Sequence, residues 1–229
     1  MTTGVSEKGQ SLFSSALALE ETWVEVERLA EVLDDRLTKM LSGDGKLFAA
    51  LKPSKIEADI PKRTLWAYQY NFSAIKRGSG KRRQAAQLNF EFRLCWPPEY
   101  KIVRADGTEA KFPLIVVKGA NYSDPFVCYD LLTSPTERIG EEVQYDVHRH
   151  LLWHADKNEK SWGGAFALPL FAVETEDDLM REIVRPATEM VKVTWSENPV
   201  ALEERAFAQT KSVLRWKEND QKDVILDDT

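Results

Sequence analysis

The sequence predicts an α+β fold: an antiparallel, meander-like sheet of about four to five strands, with a long N-terminal helix and C-terminal helices packed on one face. Three observations carry this expectation. Apolar residues recur every three or four positions between residues 11 and 42. Apolar and polar residues alternate on both sides of a Gly-Ser-Gly turn centred on Ser79. Helical periodicity returns after residue 175.

In the first segment Leu12, Ala16, Leu19, Trp23, Val26, Ala30, Leu33, Leu37 and Met40 follow alternating spacings of four and three, the repeat that lines one side of a helix. Ser11 is the expected N-cap, and Gly43 with Gly45 the stop. The opposite face carries Glu20, Glu21, Glu25, Glu27, Glu31, Asp34 and Asp35. Such a helix spans roughly 48 Å, more than a small domain is wide. Part of the seam is therefore expected to need a partner, either a second copy or the C-terminal helix.

Residues 62 to 96 read as two alternating strands joined at Ser79. Centring the turn there opposes Trp66 to Phe92, Tyr68 to Phe90, Tyr70 to Leu88 and Phe72 to Ala86. One face is then aromatic, and the other carries Gln69, Asn71, Ser73, Gln87 and Asn89. The aromatic face is expected in the core and the polar face in water. Pro97-Pro98 ends the second strand, and Asp106-Gly107 turns a further hairpin.

Asp124-Pro125 opens a short helix through Leu132, and Ser134-Pro135 breaks it. "SWGGAFALPLFAV" reads as a buried strand that starts at Gly163-Gly164 and that Pro169 demotes toward an edge. Thr175 to Asp178 has the form of a capping box. The helix that follows turns Leu179, Met180, Ile183, Val184, Ala187, Met190 and Val191 inward, with a kink at Pro186. Asn198-Pro199 begins a last helix running to about Trp216. The resulting plan is a disordered start (1–10), one α+β domain (11–216) and an acidic mobile tail (217–229), with Val224-Ile225-Leu226 as a short docking peptide.

A net charge of −6 argues against a protein coated in basic residues for bulk nucleic-acid or membrane binding. The average conceals a segregation. Between Ile60 and Phe90 stand seven basic residues, Lys62, Arg63, Lys76, Arg77, Lys81, Arg82 and Arg83, and no Asp or Glu. Cys95 and Cys128 sit in apolar contexts without metal-ligand or redox spacing and read as buried free thiols. No apolar leader and no run of about 18 apolar residues appears. The chain is expected in the cytoplasm, with no membrane partner.

Two segments bear on function. All three histidines lie in "YDVHRHLLWHAD". On a strand His148 and His150 share a face; on a helix His150 and His154 stand one turn apart. A strand turning into a helix near Leu151 would bring His148, His150 and His154 together, with Asp146 or Asp156 as a carboxylate ligand for zinc, manganese or iron. Asp146, Glu141 or Glu142 would then serve as the base of a metal-activated water. The second segment, "IKRGSGKRR", imitates the end of a phosphate loop. It has Ile75 where Gly is required and Arg82 where Ser or Thr is required. What remains is a loop with five cations, Lys76, Arg77, Lys81, Arg82 and Arg83, suited to nucleic-acid phosphate or an acidic protein surface.

Glu109-x-Lys111 with Asp106 imitates half of a nuclease metal site, but all three residues fall on one tight turn. No Gly-x-Ser-x-Gly elbow is present, and neither cysteine has a histidine nearby in sequence. The sequence is thus read as a non-enzymatic interaction or regulatory protein without a cofactor. It would engage nucleic acid or protein through the basic hairpin, or a second copy through helix 11–42. The opposed reading is a metal-dependent hydrolase or nuclease whose divalent transition metal sits on the histidines.

Overall fold

The computed structural model describes residues 3–43, 53–58, 62–63, 67–78, 81–94, 102–121, 146–156, 161–193, 198–220 and 224–227. Helix α1 spans Thr3–Gly43. It starts at Thr3 instead of Ser11, so residues 3 to 10 are helical where disorder was expected. Ser11 lies inside the helix, its carbonyl accepting a hydrogen bond from the Ser15 hydroxyl at 2.9 Å. Nothing between Thr3 and Ser11 stops a helix outright: Gly4 and Gly9 cost at most about 1 kcal/mol each and no proline intervenes.

The main sheet holds eight strands: β1 (Pro53–Ala58), β2 (Lys62–Arg63), β3 (Ala67–Gly78), β4 (Lys81–Arg93), β7 (Leu114–Ala120), β8 (Asp146–Val147), β9 (Leu152–Asp156) and β10 (Ser161–Pro169). Their order is β1-β3-β4-β7-β10-β9-β8, with β2 beside β3, and every pairing is antiparallel. The α+β class and the antiparallel sheet are as expected, with more strands. β10 is an interior strand between β7 and β9. Pro169 ends it, opposite Leu114, at a position where its missing N–H does not force the strand to an edge.

The β3–β4 hairpin forms, but its register differs from the expected one by two residues. Tyr68 opposes Phe92, Tyr70 opposes Phe90, Phe72 opposes Leu88 and Ala74 opposes Ala86. Gly78 pairs with Lys81, which leaves a shorter connection than one centred on Ser79, and the register shifts again between Ala74 and Ile75. Each change slips the pairing by one residue. Because side chains alternate with period two, the combined slip returns Tyr68, Tyr70, Phe72, Phe90 and Phe92 to their predicted face; Trp66 lies outside the described residues.

That face carries the main core. Tyr68, Tyr70, Phe72, Leu88, Phe90, Phe92, Ile115, Val117, Trp153, Trp162, Phe166 and Leu168 pack against Trp23, Val26, Ala30, Leu33, Leu37 and Leu41 of α1 and against the later helices. Gly164 belongs to this surface because a Cβ there would lie 2.9 Å from the Trp153 ring. Its hydrogen lets that ring stack on Trp162, with centroids 5.3 Å apart.

The later helices are α2 (Glu176–Leu179), a π-helical turn (Met180–Val184), α3 (Arg185–Val191) and α4 (Pro199–Phe207). The Thr175–Asp178 capping box is complete in both directions. The irregularity expected at Pro186 takes the form of the π turn, in which the Arg185 N–H donates to the Met180 carbonyl. Widening the turn just before Pro186 accommodates a ring with no N–H to give. Asn198 caps α4, accepting from the Val200 N–H at 2.9 Å. The helix ends at Phe207 instead of continuing to Trp216.

Past that point the chain enters a second layer. β11 (Trp216–Glu218) pairs with β12 (Val224–Leu226), and β5 (Ile102–Val103) with β6 (Glu109–Ala110), as two small separate sheets. The tail expected to be mobile from 217 is thus strand-paired. Trp216 and Leu226, with Ile102 and Ala110, cover Leu114, Val116, Leu152, Ala165 and Ala167 on the face away from the helices. The Asp106-Gly107 turn is as expected, with Gly107 at φ 81° and Thr108 N donating to Asp106 Oδ1 at 2.9 Å. The proposed helix at 125–132 and both cysteines lie outside the described residues.

Candidate functional site

The basic residues stand at the end of the longest hairpin. Lys76 opposes Arg83, Arg77 opposes Arg82, and Lys81 opposes Gly78. Two successive rungs of the register thus pair a basic residue with a basic residue.

The histidines are not brought together. Residues 148–151 form the turn of the β8–β9 hairpin, closed by the His148 N–H donating to the Leu151 carbonyl at 2.8 Å. The strand-to-helix turn that three-imidazole convergence required is absent. His150 is held by Glu203 of α4: its N–H donates to the two carboxylate oxygens at 3.1 and 3.2 Å, and its Nδ1 meets Glu203 Oε1. Its ring stacks on Phe207 with centroids 5.3 Å apart. His154 lies on β9 opposite Gly163, and Asp146 lies on β8 opposite Trp153. Among the described residues no group of three His, Cys, Asp or Glu is placed to hold a metal ion. The expected centre of His148, His150, His154 and Asp146 is thus not assembled. Asp106 and Lys111 are also committed locally, Asp106 to Thr108 and Lys111 to Glu109 at 3.2 Å.

The seam of α1 divides into two halves. Trp23, Val26, Ala30, Leu33, Leu37 and Leu41 are buried on the sheet, and the Tyr70 hydroxyl donates to Asp34 Oδ1 at 2.5 Å. Burial and that neighbouring carboxylate raise the Tyr70 pKa well above the ordinary tyrosine range. Residues 10 to 18 are all exposed. Leu12 is 72%, Phe13 66% and Leu17 50% exposed. Beside the helix, Val26, Leu29, Val32, Leu170, Phe171, Val173 and Leu179 line an apolar groove of about 500 Å³. No helix of the described residues is long and apolar enough to cross a membrane, so this exposed stripe is not part of a helical span.

The sheet face that was expected in water is buried on β4 and β7, while Gln69 and Asn71 on β3 are half-buried. Gln87, Asn89, Glu91, Arg93 and Lys118 are all within the interior, Lys118 at 1% exposure. Lys118 Nζ and Arg93 Nε donate to the two oxygens of Glu91 at 3.2 and 2.6 Å. Asn89 Nδ2 donates to Asn71 Oδ1 at 2.7 Å. Burial pushes the Glu91 pKa up, but Lys118 and Arg93 more than offset it and hold it below the ordinary glutamate range. Sequence alternation correctly gathered Gln69, Asn71, Gln87 and Asn89 on one face. It carried no sign that this face is covered, because that depends on chain far away in sequence.

The C-terminal elements hold a second buried acid. Glu182, fully buried in the π turn, accepts the N–H groups of Lys211 at 3.1 and 3.0 Å and of Ser212 at 3.0 Å, and Arg181 Nε at 2.6 Å. It ends the helical region and launches the chain toward β11. Compared with known proteins, the chain matches no family model, no curated protein and no solved structure.

Proposed function

We propose that this chain is a non-enzymatic interaction protein that self-associates through the projecting half of α1. The observation that carries the reading is the exposure of Leu12 and Ala16 at the start of the repeat that buries Trp23 to Leu37, with Phe13 and Leu17 exposed beside them. A seam of unbroken four-three spacing is satisfied by a helix with the same spacing. The body already occupies the seam from Trp23 onward, so a second copy meets only the free half. Antiparallel packing satisfies this limit, since it places the two bodies at opposite ends of the contact.

Antiparallel packing also opposes identical flanks. With the axis at Ser14, Leu12 lies opposite the partner's Ala16 and Phe13 opposite the partner's Ser15, and each pair occurs twice. No like charges meet at the centre, because Glu20 and Glu21 fall toward the ends. Such a contact is self-complementary about a twofold axis. Light scattering coupled to size exclusion is expected to give the mass of two chains for the native protein and of one chain for a Leu12→Glu, Leu17→Glu variant with unchanged circular dichroism. A native protein that stays at one chain at its highest soluble concentration would remove the proposal.

The basic hairpin supports a second contact, with an anionic macromolecule. Support comes from the concentration of Lys76, Arg77, Lys81, Arg82 and Arg83 at one hairpin end, where the register opposes Lys76 to Arg83 and Arg77 to Arg82. Reversing Arg82 and Arg83 to Glu is expected to abolish retention on heparin while leaving the melting temperature unchanged. Equal retention of native and variant protein would exclude this surface as the anion contact.

A further inference from the structure

Two ring nitrogens at the outer end of the sheet are buried and have no hydrogen-bond partner among the described residues: His148 Nε2 and Trp216 Nε1. Both side chains line one cleft of about 480 Å³, together with Asp146, Val147, Lys217 and Glu218. Three elements build it. β8 supplies Asp146 and Val147, the β8–β9 turn supplies His148, and β11 supplies the rest. The Trp216 backbone N–H donates to the Arg149 carbonyl at 2.7 Å, tying β11 to the turn. Trp216 is 5% exposed and packs with Leu152 and Leu226, so its indole is fixed in place.

A buried polar atom without a partner costs free energy unless something satisfies it, and the atoms here restrict what can. An indole N–H only donates, so the group facing Trp216 must accept. The rim carries the exposed carboxylates of Asp146 and Glu218. The one ammonium among the described lining residues, Lys217, is engaged by Asp227 Oδ1 at 2.7 Å. Two carboxylates repel a phosphate or carboxylate ligand. A bare cation would suit the rim but offers no lone pair to the indole. A hydroxyl group does both, accepting from Trp216 Nε1 and donating to Asp146, Glu218 or His148 Nε2. The cleft volume is in the range of small-molecule sites, about 300–1,000 Å³.

We propose that this cleft binds a small uncharged polyol of the saccharide class, with Trp216 as donor, His148 as its neighbouring contact, and Asp146 and Glu218 as acceptors at the rim. The reading is independent of self-association through α1, which lies on the helical side of the sheet.

The test is nitrogen-proton correlation spectroscopy of the full chain, whose seven tryptophans give resolvable indole signals. The Trp216 signal is assigned by its loss in Trp216→Phe or, if that variant does not fold, by triple-resonance assignment of the native chain. Glucose and trehalose are the probes; glycine stands for a zwitterion and inorganic phosphate for an anion. The expected result is a saturable shift of the Trp216 indole with at least one sugar, weakened about tenfold or more in Asp146→Ala, Glu218→Ala. Absence of a saturable shift with both sugars would mean that hydration alone satisfies the two nitrogens. Saturation by glycine or phosphate and by neither sugar would assign the cleft to a charged ligand. Either result overturns the proposal.

Discussion

Replacing Glu91 by Ala is expected to cost about 3–5 kcal/mol of folding stability, the usual consequence of removing one member of a buried ion pair. Glu91 is 3% exposed, and its two oxygens are divided between Arg93 at 2.6 Å and Lys118 at 3.2 Å. Removing the carboxylate strips both cations of this counter-charge on a face that water does not reach. The pH dependence has a definite sign. The folded-state pKa of Glu91 is depressed, so the unfolded chain takes up a proton there first as pH falls. The stabilisation is complete above the ordinary glutamate range and is lost as pH falls through the lower, folded value. Glu91→Gln should therefore be less stable than the native chain at neutral pH and approach it in acid. Urea unfolding at both ends of that window measures the difference. Parallel curves, displaced equally at every pH, would show that the charge of Glu91 is not what stabilises the face.

Glu182→Ala is expected to have a comparable effect by a different route. Its carboxylate accepts two backbone N–H groups, from Lys211 and Ser212, and each buried donor left without an acceptor costs about 1–3 kcal/mol. Glu182→Gln keeps one acceptor oxygen and should lose less. Hydrogen exchange separates this from a general loss of packing. The amides of Lys211 and Ser212 should lose protection in Glu182→Ala well before those of β4 and β7. Uniform loss of protection across the chain would make Glu182 a packing residue and no more.

The elements legible in the sequence were those whose stabilising contacts repeat at a short period. The buried half of α1 was readable because Trp23, Val26, Ala30, Leu33 and Leu37 recur every three or four residues, and a helix turns them to one side. The aromatic face of the hairpin was readable although the register was not. A shorter turn and a shift near Ala74 moved the pairing by two residues, and a period of two is blind to an even slip. The Thr175–Asp178 and Asn198 caps were readable because a cap is made by residues two or three apart.

The candidate sites were less legible because each depends on residues far apart in the chain. His148, His150 and His154 are neighbours in sequence. Their backbone nevertheless makes a hairpin turn, and Glu203, 53 residues away, claims His150. Trp216 looked like the end of a helix; Glu182, 30 residues before Ser212, redirects the chain into a strand instead. Alternation alone determined which residues of β3 and β4 share a face. Whether the face bearing Asn89, Glu91 and Arg93 meets water or protein was decided by tertiary structure alone. The physical reason is one of range. Periodicity records how a segment orients its own side chains, whereas burial and the pairing of charges such as Glu91 with Lys118 depend on which distant segment closes over them.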